Sequence, residues 1–269
     1  KVGKNVKHIK EGDKVAIYLA IGCGHCKYCY KGTLHLCDNW ECLGFTVDGG
    51  NAEYCVVPSR NALKVPDNMS YNEAAFSTDK FGTLYSAAKK LNVSGSGTIG
   101  VFGMGPMGVS GVVVCKNMGA QVVAVDIDNS RREFAKSLGA DHVLNPTDKS
   151  FIDQVMSITN DNGFDYAMDC SGNTQAHNAA LDSLAKFGSL IMIGETTSST
   201  INPSDQLIRK QTSIMGSWYF DINEYDEILD FININNIDLN TLISKKFSLD
   251  QAEQAFIEFD QRKISTAIF

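Results

Sequence analysis

The sequence lacks the segments that mark membrane-spanning and secreted proteins. No run of about 18 or more apolar residues occurs along the chain, so no transmembrane helix is predicted. The first residues, KVGKNVKHIKEGDKV, include neither an initiator methionine nor the apolar core of a signal peptide. A large acidic chain of mixed composition without a signal sequence is expected to be cytoplasmic and to keep its thiols reduced.

Positive charge is also scarce. The chain has 24 Lys and Arg residues against 31 Asp and Glu residues, and no stretch is dense in basic residues. A formal net charge of −7 argues against a nucleic-acid-binding surface. The 269 residues, 43% of them hydrophobic, are enough for about two globular domains.

The eight cysteines fall into a scattered group and a clustered group. The scattered cysteines lie in apolar surroundings such as AEYCVV and VVVCKN, which predicts buried thiols that pack as small hydrophobic side chains. They are Cys42, Cys55, Cys115 and Cys170. The clustered cysteines lie in CGHCKYCYKGTLHLC and are Cys23, Cys26, Cys29 and Cys37.

The spacing C-x2-C-x2-C-x7-C predicts a structural zinc site. A tetrahedral zinc with Zn–S bonds of about 2.3 Å holds its sulfurs about 3.8 Å apart, and short gaps with nearby glycines allow the necessary turns. Four thiolates leave no open position for a substrate, so His25 and His35 are expected to be solvated. An iron–sulfur cluster is disfavoured because the ferredoxin run ends C-x3-C-P, and a thioredoxin-like pair needs only one C-x-x-C.

A glycine motif in residues 97–141 predicts dinucleotide binding. The apolar run Ile99–Phe102 precedes GMGPMG, a helical stretch reaches about Met118, and the apolar run Val122–Val125 ends at Asp126. Strand, glycine turn, helix, strand and acid are the full context of the fingerprint. The predicted cofactor contacts here are Gly103, Met104, Gly105, Pro106, Met107, Gly108, Asp126, Ile127 and Arg131.

Each part of this motif has a physical role. The first glycine permits a tight turn, the second lets the backbone approach a pyrophosphate, and the third lets the helix pack close to the strand. The carboxylate of Asp126 can accept hydrogen bonds from ribose hydroxyls and repels a 2′-phosphate, which favours NAD over NADP. Arg131 and Arg132 could instead neutralise such a phosphate, or they could be solvated in the next helix.

Further apolar runs alternate with helical stretches, including Asn178–Ala185. The runs are Ala140–Leu144, Tyr166–Asp169, Leu190–Ile193 and Ser213–Met215. This alternation predicts an α/β fold with a doubly wound parallel sheet, in which ligands bind at the carboxyl ends of the strands.

Taken together, the motifs resemble the zinc-containing medium-chain alcohol and polyol dehydrogenases. The resemblance runs along the chain through VGKNVKHIKEGDKVAI, CGHCKYCYKG, GGNAEYCVVP, the glycine motif and SLGADHVLNP. It implies a Rossmann NAD-binding domain over residues 68–217. It also implies an incomplete GroES-like β-barrel catalytic domain over residues 1–67, carrying the zinc lobe, to which residues 218–269 return. Implied partners are a small alcohol and further copies of the chain, in dimers or tetramers joined near Thr212–Ser217, with neither membrane nor nucleic acid.

The resemblance also assigns site residues. Asp79 matches the third ligand of the family's catalytic zinc, and Thr83 matches the threonine beside the nicotinamide; a helix-capping acid is the alternative for Asp79. Where the family often has a basic contact to the pyrophosphate, this chain has Ser265 and Thr266, with Arg262 and Lys263 nearby. Other implied cofactor contacts are Cys170, Ser171, Ile193, Gly194, Glu195, Gly216 and Ser217.

Two further ligands of that catalytic zinc, a Cys and the His of a Gly-His-Glu stretch, precede VGKNV in the family. We therefore expect an N-terminally truncated member whose first 67 residues or so leave apolar surface uncovered and which lacks activity by itself. Two alternatives stay open. One is a non-catalytic module that binds NAD and zinc; the other is a reductase of the same superfamily without catalytic zinc, a group that generally lacks the cysteine lobe.

Overall fold

The computed structural model describes every residue except 262, 263 and 265. The chain divides into two compact units, one formed by Lys1–Thr83 with Tyr219–Phe269 and the other by Leu84–Trp218. In the part of the chain that is described, no helix combines the length and the apolar character needed to cross a membrane.

The first unit begins with short strands and two helices. The strands pair as two antiparallel ladders, β1 with β4 and β2 with β3. The elements are β1 (Val15–Ile17), β2 (Ala20–Ile21), α1 (Lys27–Lys31), β3 (Glu41–Cys42), β4 (Ala62–Lys64) and α2 (Tyr71–Lys90), of which residues 84–90 belong to the second unit.

The second unit is a six-stranded parallel sheet with helices between its strands. Its elements are β5 (Thr98–Phe102), α3 (Pro106–Asn117), β6 (Gln121–Val125), α4 (Asn129–Ser137), β7 (His142–Leu144), α5 (Phe151–Ile158), β8 (Phe164–Asp169), α6 (Thr174–Ser183), β9 (Leu184–Met192) and β10 (Ser213–Gly216). The strand order β7-β6-β5-β8-β9-β10 reverses at β5, which confirms the predicted doubly wound Rossmann sheet.

The rest of the chain belongs to the first unit and contains α7 (Tyr225–Ile234), β11 (Lys245–Lys246), α8 (Ala252–Asp260) and β12 (Ala267–Ile268). The core of this unit is aromatic. The Tyr18 ring lies edge-on to those of Tyr219 and Phe220, with centroids 4.7 and 5.1 Å away. The Tyr18 hydroxyl donates to the carbonyl of Phe220 at 2.5 Å, so this buried polar atom is satisfied within the core.

One predicted helix has different limits. The helical stretch predicted over Asn178–Ala185 is α6, which already begins at Thr174 and ends at Ser183. Leu184 is extended and pairs with Phe164 of β8. Leu and Ala favour helices, but pairing in the sheet and complete burial decide the conformation at this position.

The expectation of buried scattered cysteines holds only in part. Cys42 and Cys115 are buried and Cys170 is half-buried, but Cys55 is exposed, so its predicted burial is wrong. Its neighbours Tyr54 and Val56 are 89% and 95% exposed. The apolar neighbours of Cys55 predicted its burial, but the structure forms no strand over residues 52–57 and no described strand pairs with this segment.

The sheet core offers a stability test. Phe164 is fully buried beside Phe102, with ring centroids 6.4 Å apart, and its ring packs where Gly100 leaves space. We expect Phe164→Ala to lower the free energy of unfolding by about 3–5 kcal/mol because it opens a cavity. Phe187→Ala, at a position 71% exposed in β9, is the control and should cost less than about 0.5 kcal/mol. Chemical denaturation measures both; equal losses would contradict this packing.

Candidate functional site

The structure brings the four clustered cysteines together. Their sulfur atoms all lie within 4.8 Å of one another, and none of them is in a disulfide. The Sγ atoms of Cys23 and Cys29 are 3.9 Å apart, and those of Cys26 and Cys37 are 3.8 Å apart. These separations match the edge of a tetrahedral zinc–thiolate site, so the donor set and its geometry fit zinc.

Local backbone structure builds this cluster. Cys26 caps the N-terminus of α1, where its sulfur accepts from the amide of Cys29, and Gly32 ends the helix in the left-handed conformation at φ 89°. The amides of Cys23 and Gly24 donate to the sulfurs of Cys37 and Cys29, each at 3.3 Å. Such N–H···S bonds stabilise thiolates, so the loop is prepared for a cation before one binds.

The surroundings of the cluster shift the pKa values of its thiols in opposite directions. The amide of His25 lowers the pKa of the Cys23 thiol to about 6, while burial raises that of Cys29 to about 11. The guanidinium of Arg60 lies against Gly24, where a Cβ would be 2.5 Å from Nη1. A positive side chain at this position offsets the net negative charge that four thiolates leave around one divalent ion.

The two lobe histidines differ. His25 is exposed, as expected, and its Nδ1 lies 3.1 Å from the carbonyl oxygen of Cys23. His35 is only 3% exposed, so its predicted solvation is wrong. The short helical turn Leu34–Leu36 carries it into the aromatic core, where its Nδ1 lies 3.2 Å from the Tyr18 hydroxyl. Because its partner Tyr18 is 17 residues away in sequence, the burial of His35 could not be predicted from the neighbouring residues alone.

Asp79 lies in the interior of α2, more than two turns from its start at Tyr71. The capping alternative for Asp79 is therefore wrong, because Ser70 and Glu73 cap this helix through reciprocal hydrogen bonds. Burial raises the pKa of the Asp79 carboxyl, and the neighbouring Lys80 offsets this only in part. A carboxylate kept at such a position is typical of a functional site.

Other polar groups of the first unit lie near Asp79. Burial and then the Asp79 carboxylate raise the pKa of both Cys42 and Tyr219. Thr83 follows one turn later in α2, and its buried hydroxyl has no hydrogen-bond partner among the described residues. Within that described set, the lobe cysteines are the one group of three or more His, Cys, Asp or Glu side chains close enough to share a metal.

In the second unit, the glycine turn has the geometry that the motif predicts. Gly103 has φ 89°, and a Cβ on it would meet that of Ser171 at 2.8 Å. A Cβ on Gly108 would clash with the carbonyl oxygen of Gly103, so α3 packs tightly on the turn. No protein atom lies within 4 Å of a Cβ placed on Gly105, which leaves open space above the first turn of α3. Pro106 and Met107 are the first residues of this helix.

Asp126 is tied to the glycine turn. Its Oδ2 accepts from the amide of Met104 at 2.6 Å, and its Oδ1 accepts from the amide of Asp128 at 2.8 Å. Each carboxylate oxygen keeps a second lone pair for a ligand donor. Next to it, Ile127 is 64% exposed, an apolar surface beside the acid.

The two arginines of α4 have different surroundings in the structure. Arg132 donates from Nη1 to the backbone carbonyl of Asp126 at 2.7 Å and from Nη2 to Asn129 at 3.0 Å. Its guanidinium is thus held by the turn after β6. Arg131 lies half-buried in the first turn of α4.

The turns after β8 and β9 lie at the same edge as the glycine turn. Glycine contacts make them interlock: a Cβ on Gly172 would clash with the carbonyl of Glu195, and one on Gly194 would clash with the amide of Gly172. Cys170 joins β8 to β5 by donating its amide to the Phe102 carbonyl at 2.8 Å. The predicted Ser171, Ile193 and Gly194 lie in these turns.

Beyond β10, the Ser217 amide donates to the Met192 carbonyl at 2.9 Å, and the Ser217 hydroxyl accepts from Lys90 Nζ at 3.0 Å. A Cβ placed on Gly216 would have no other protein atom within 4 Å, so the space beside this glycine is open. Thr266 is buried, whereas the other positions of the predicted C-terminal pyrophosphate contact, Arg262, Lys263 and Ser265, lie outside the described residues.

Sequence reasoning missed two residues at this edge. Asp169 and His177 are fully buried and lie 3.0 Å apart, Oδ2 to Nε2. The one signal in the sequence is the acid that ends the apolar run YAMD, much as Asp126 follows the apolar run of β6. His177 lies in the next helix, α6, and nothing in the sequence between it and Asp169 indicates that the two side chains are in contact.

Comparisons with known proteins identify relatives of this chain. Two family models match the chain, the alcohol dehydrogenase GroES-like domain over residues 1–67 and the zinc-binding dehydrogenase domain over residues 106–233. The uncharacterized zinc-type alcohol dehydrogenase-like protein YphC of Escherichia coli is 33% identical over 95% of this chain and 73% of its own length. The sorbitol dehydrogenase of Bacillus subtilis is 31% identical over 94% of this chain and 72% of its own.

A solved structure described as an NAD-dependent alcohol dehydrogenase superposes with a TM-score of 0.87 at 26% identity. The superposition covers 98% of this chain and 77% of that one. The likeness therefore extends over both units of the chain.

The cysteine cluster gives a metal-binding prediction. We expect the purified chain to hold about one zinc per molecule and Cys37→Ser to lose it, since three thiolates bind a tetrahedral ion less tightly than four. Cys55→Ser, at the exposed cysteine, is the matched control and should keep the metal. Elemental analysis by mass spectrometry measures the content; zinc retained in Cys37→Ser would place the ion elsewhere.

Asp79 gives a prediction on pH and stability. A raised folded-state pKa means that the folded protein binds this proton more tightly than the unfolded chain, so stability falls as pH rises from about 4 through the folded pKa. We therefore expect Asp79→Asn to raise the Tm by about 2 °C or more at pH 8, with a smaller gain at pH 5.

The control for this measurement is Asp230→Asn, an exposed position on α7, for which a Tm shift below about 1 °C is expected at either pH. Thermal unfolding followed by circular dichroism suffices. A loss of stability in Asp79→Asn at pH 8 would show that the carboxylate has a stabilising partner at that pH.

Proposed function

Because the chain belongs to the family of zinc-binding dehydrogenases with an alcohol dehydrogenase GroES-like domain, we propose that it serves hydride transfer between an alcohol or polyol and NAD. The observation that carries this proposal is the junction of the glycine turn and Asp126 at the carboxyl edge of β5 and β6. A dinucleotide binds at the point where the strand order of such a sheet reverses.

The residues of this edge account for recognition of the dinucleotide. Free amides in the first turn of α3 face the open space above Gly105, where the pyrophosphate would bind. The free lone pairs of the Asp126 carboxylate would accept the ribose hydroxyls, and its charge disfavours a 2′-phosphate. Ile127 offers apolar contact to the base, and Arg131 lies half-buried in the helix that follows. Bound NAD supplies the hydride acceptor.

Zinc has two proposed positions. Cys23, Cys26, Cys29 and Cys37 would hold a structural ion, because a closed thiolate set leaves no site for a substrate. Asp79 would be a carboxylate ligand of a catalytic ion, whose chemistry is to polarise the alcohol oxygen. Its burial within α2 supports this role, and the unpartnered hydroxyl of Thr83 supports a contact from that residue to a bound ligand.

One observation favours a narrower function for the 269 residues by themselves. Within the described residues no second metal-binding group forms around Asp79. We therefore propose that this chain alone binds NAD and the lobe zinc without turnover, as a binding module would. A reductase without catalytic zinc is the weaker candidate because the complete cysteine lobe is present. The proposed domains remain residues 1–67 with 218–269, and 68–217.

Assembly through β10 belongs to the same proposal. This strand is the last of the sheet, so one of its edges has no partner strand in the described chain. Ser213, Ile214 and Gly216 are exposed along it. Pairing of two copies at this edge would satisfy the open backbone groups.

The test is a titration with NADH and NADPH followed by cofactor fluorescence. We expect the chain to bind NADH at least about tenfold more tightly than NADPH, and Asp126→Ala to reduce both the affinity for NADH and this preference by about tenfold. Asp153→Asn, an exposed acid of α5, is the control and should leave both unchanged. No affinity for NADH in the zinc-loaded chain would overturn the proposed function.

A further inference from the structure

A buried acid–histidine pair stands at the cofactor edge of the sheet and has no role in the function proposed so far. Asp169 ends β8, and His177 lies in α6; both are 0% exposed. His177 Nε2 is 3.0 Å from Asp169 Oδ2, and its Nδ1 is 2.9 Å from the hydroxyl of Ser199. A buried polar pair is costly unless its polar atoms are hydrogen-bonded, so the partners of Asp169 and His177 show what the pair supports.

Asp169 holds two turns at once. Its side chain accepts from the amide and hydroxyl of Ser171, at 3.2 and 2.6 Å, and from the amide of Gly172 at 3.1 Å. Its backbone carbonyl accepts from the amides of Ile193 and Gly194, at 2.9 and 3.1 Å. One residue thus fixes the turn after its own strand and the turn after the neighbouring strand β9.

These turns have no room to move independently. A Cβ on Gly172 or Gly194 would overlap the backbone of the opposite turn, and one on Gly103 would contact Ser171. A displacement of the turn after β8 therefore changes the position of the turn after β9 and of the glycine turn. Backbone groups in close van der Waals contact transmit such shifts rather than absorb them.

His177 connects this arrangement to the segment after β9. On the same face of α6, Thr174 donates to the Ser198 carbonyl at 3.1 Å, and Asn178 donates to the Thr200 carbonyl at 2.8 Å. The histidine lies between these contacts and is the one that also reaches Asp169. Because both side-chain oxygens of Asp169 accept hydrogen bonds from Ser171 and Gly172, we assign His177 Nε2 as a donor to Oδ2 and Nδ1 as the acceptor from the Ser199 hydroxyl.

Topology shows which part of the cofactor these turns serve. Asp126 follows β6, on one side of β5, whereas Asp169 and both turns follow β8 and β9, on the other side. A dinucleotide whose pyrophosphate lies over the turn after β5 must place its adenosine on the Asp126 side. Its nicotinamide half then lies on the side of β8 and β9.

We propose that Asp169, His177 and Ser199 form a positioning relay that sets the two turns for the nicotinamide half of the dinucleotide. The inference rests on the proposed NAD binding and adds to it a specific set of residues that need not touch the cofactor. The order serine, histidine, acid is also that of a hydrolytic triad. Here, however, the acid is already engaged by three donors of the turn after β8, which suits a positioning role.

The test compares ligands that occupy different parts of the edge. The zinc-loaded chain is titrated by calorimetry with NADH and with AMP, which has the adenosine half alone. We expect His177→Phe to weaken NADH about tenfold or more, because Asp169 loses a donor and the turns relax, while AMP changes less than about twofold. His177→Gln, which keeps an amide donor, should recover part of the loss, and Ser199→Ala should weaken NADH by about two- to fivefold.

The control is His142→Phe, at the start of the edge strand β7 and level with Val123 in the middle of β6, which should leave both ligands unchanged. Circular dichroism confirms folding; if His177→Phe does not fold, His177→Gln and the exposed Ser199→Ala carry the comparison. Equal weakening of NADH and AMP, or no weakening of NADH, would overturn the relay alone. Covalent labelling of Ser199 by a fluorophosphonate would overturn it in favour of a nucleophile. Failure of the unmodified chain to bind NADH would overturn the proposed function as well.

Discussion

The reversal of strand order at β5 is the constraint on which the cofactor edge depends. Strand β5 has β6 on one side and β8 on the other, all parallel, so three carboxyl ends lie side by side. Acids end β8 and follow β6, and each accepts hydrogen bonds from a turn at this edge. The glycine turn between them is packed from both sides, which makes a rigid support for a ligand from residues far apart in sequence.

The zinc lobe follows a different principle. It has little regular structure, and its order comes from short turns, amide–sulfur hydrogen bonds and a helix of five residues. A small loop of this kind buries too little apolar surface to be stable by packing alone, and a four-thiolate ion would supply the missing cross-link. The aromatic core around Tyr18 lies in the same unit and carries His35, so the lobe is joined to it by a buried residue.

Local patterns predicted most of the second unit because its information is local. The six strands, the glycine turn and Asp126 follow from apolar runs and from spacing, and the structure has all of them. The patterns failed where a distant partner decides the environment. His35 is buried against Tyr18, and Cys55 is exposed because no described strand covers it. His177 contacts Asp169, which lies in the preceding strand, on the other side of a turn. Family resemblance alone indicated Asp79, and only the helix limits removed the capping alternative.

The interlocked turns at Gly172 and Gly194 restrict how this sequence can change. Even the smallest side chain at either position would occupy space that the other backbone fills. A tolerated replacement at one of them therefore requires a compensating shift in the opposite turn. We therefore expect Gly172 and Gly194 to change only together with the turn that each contacts. Single substitutions at this edge are expected only where the side chain points away from the contact between the two turns.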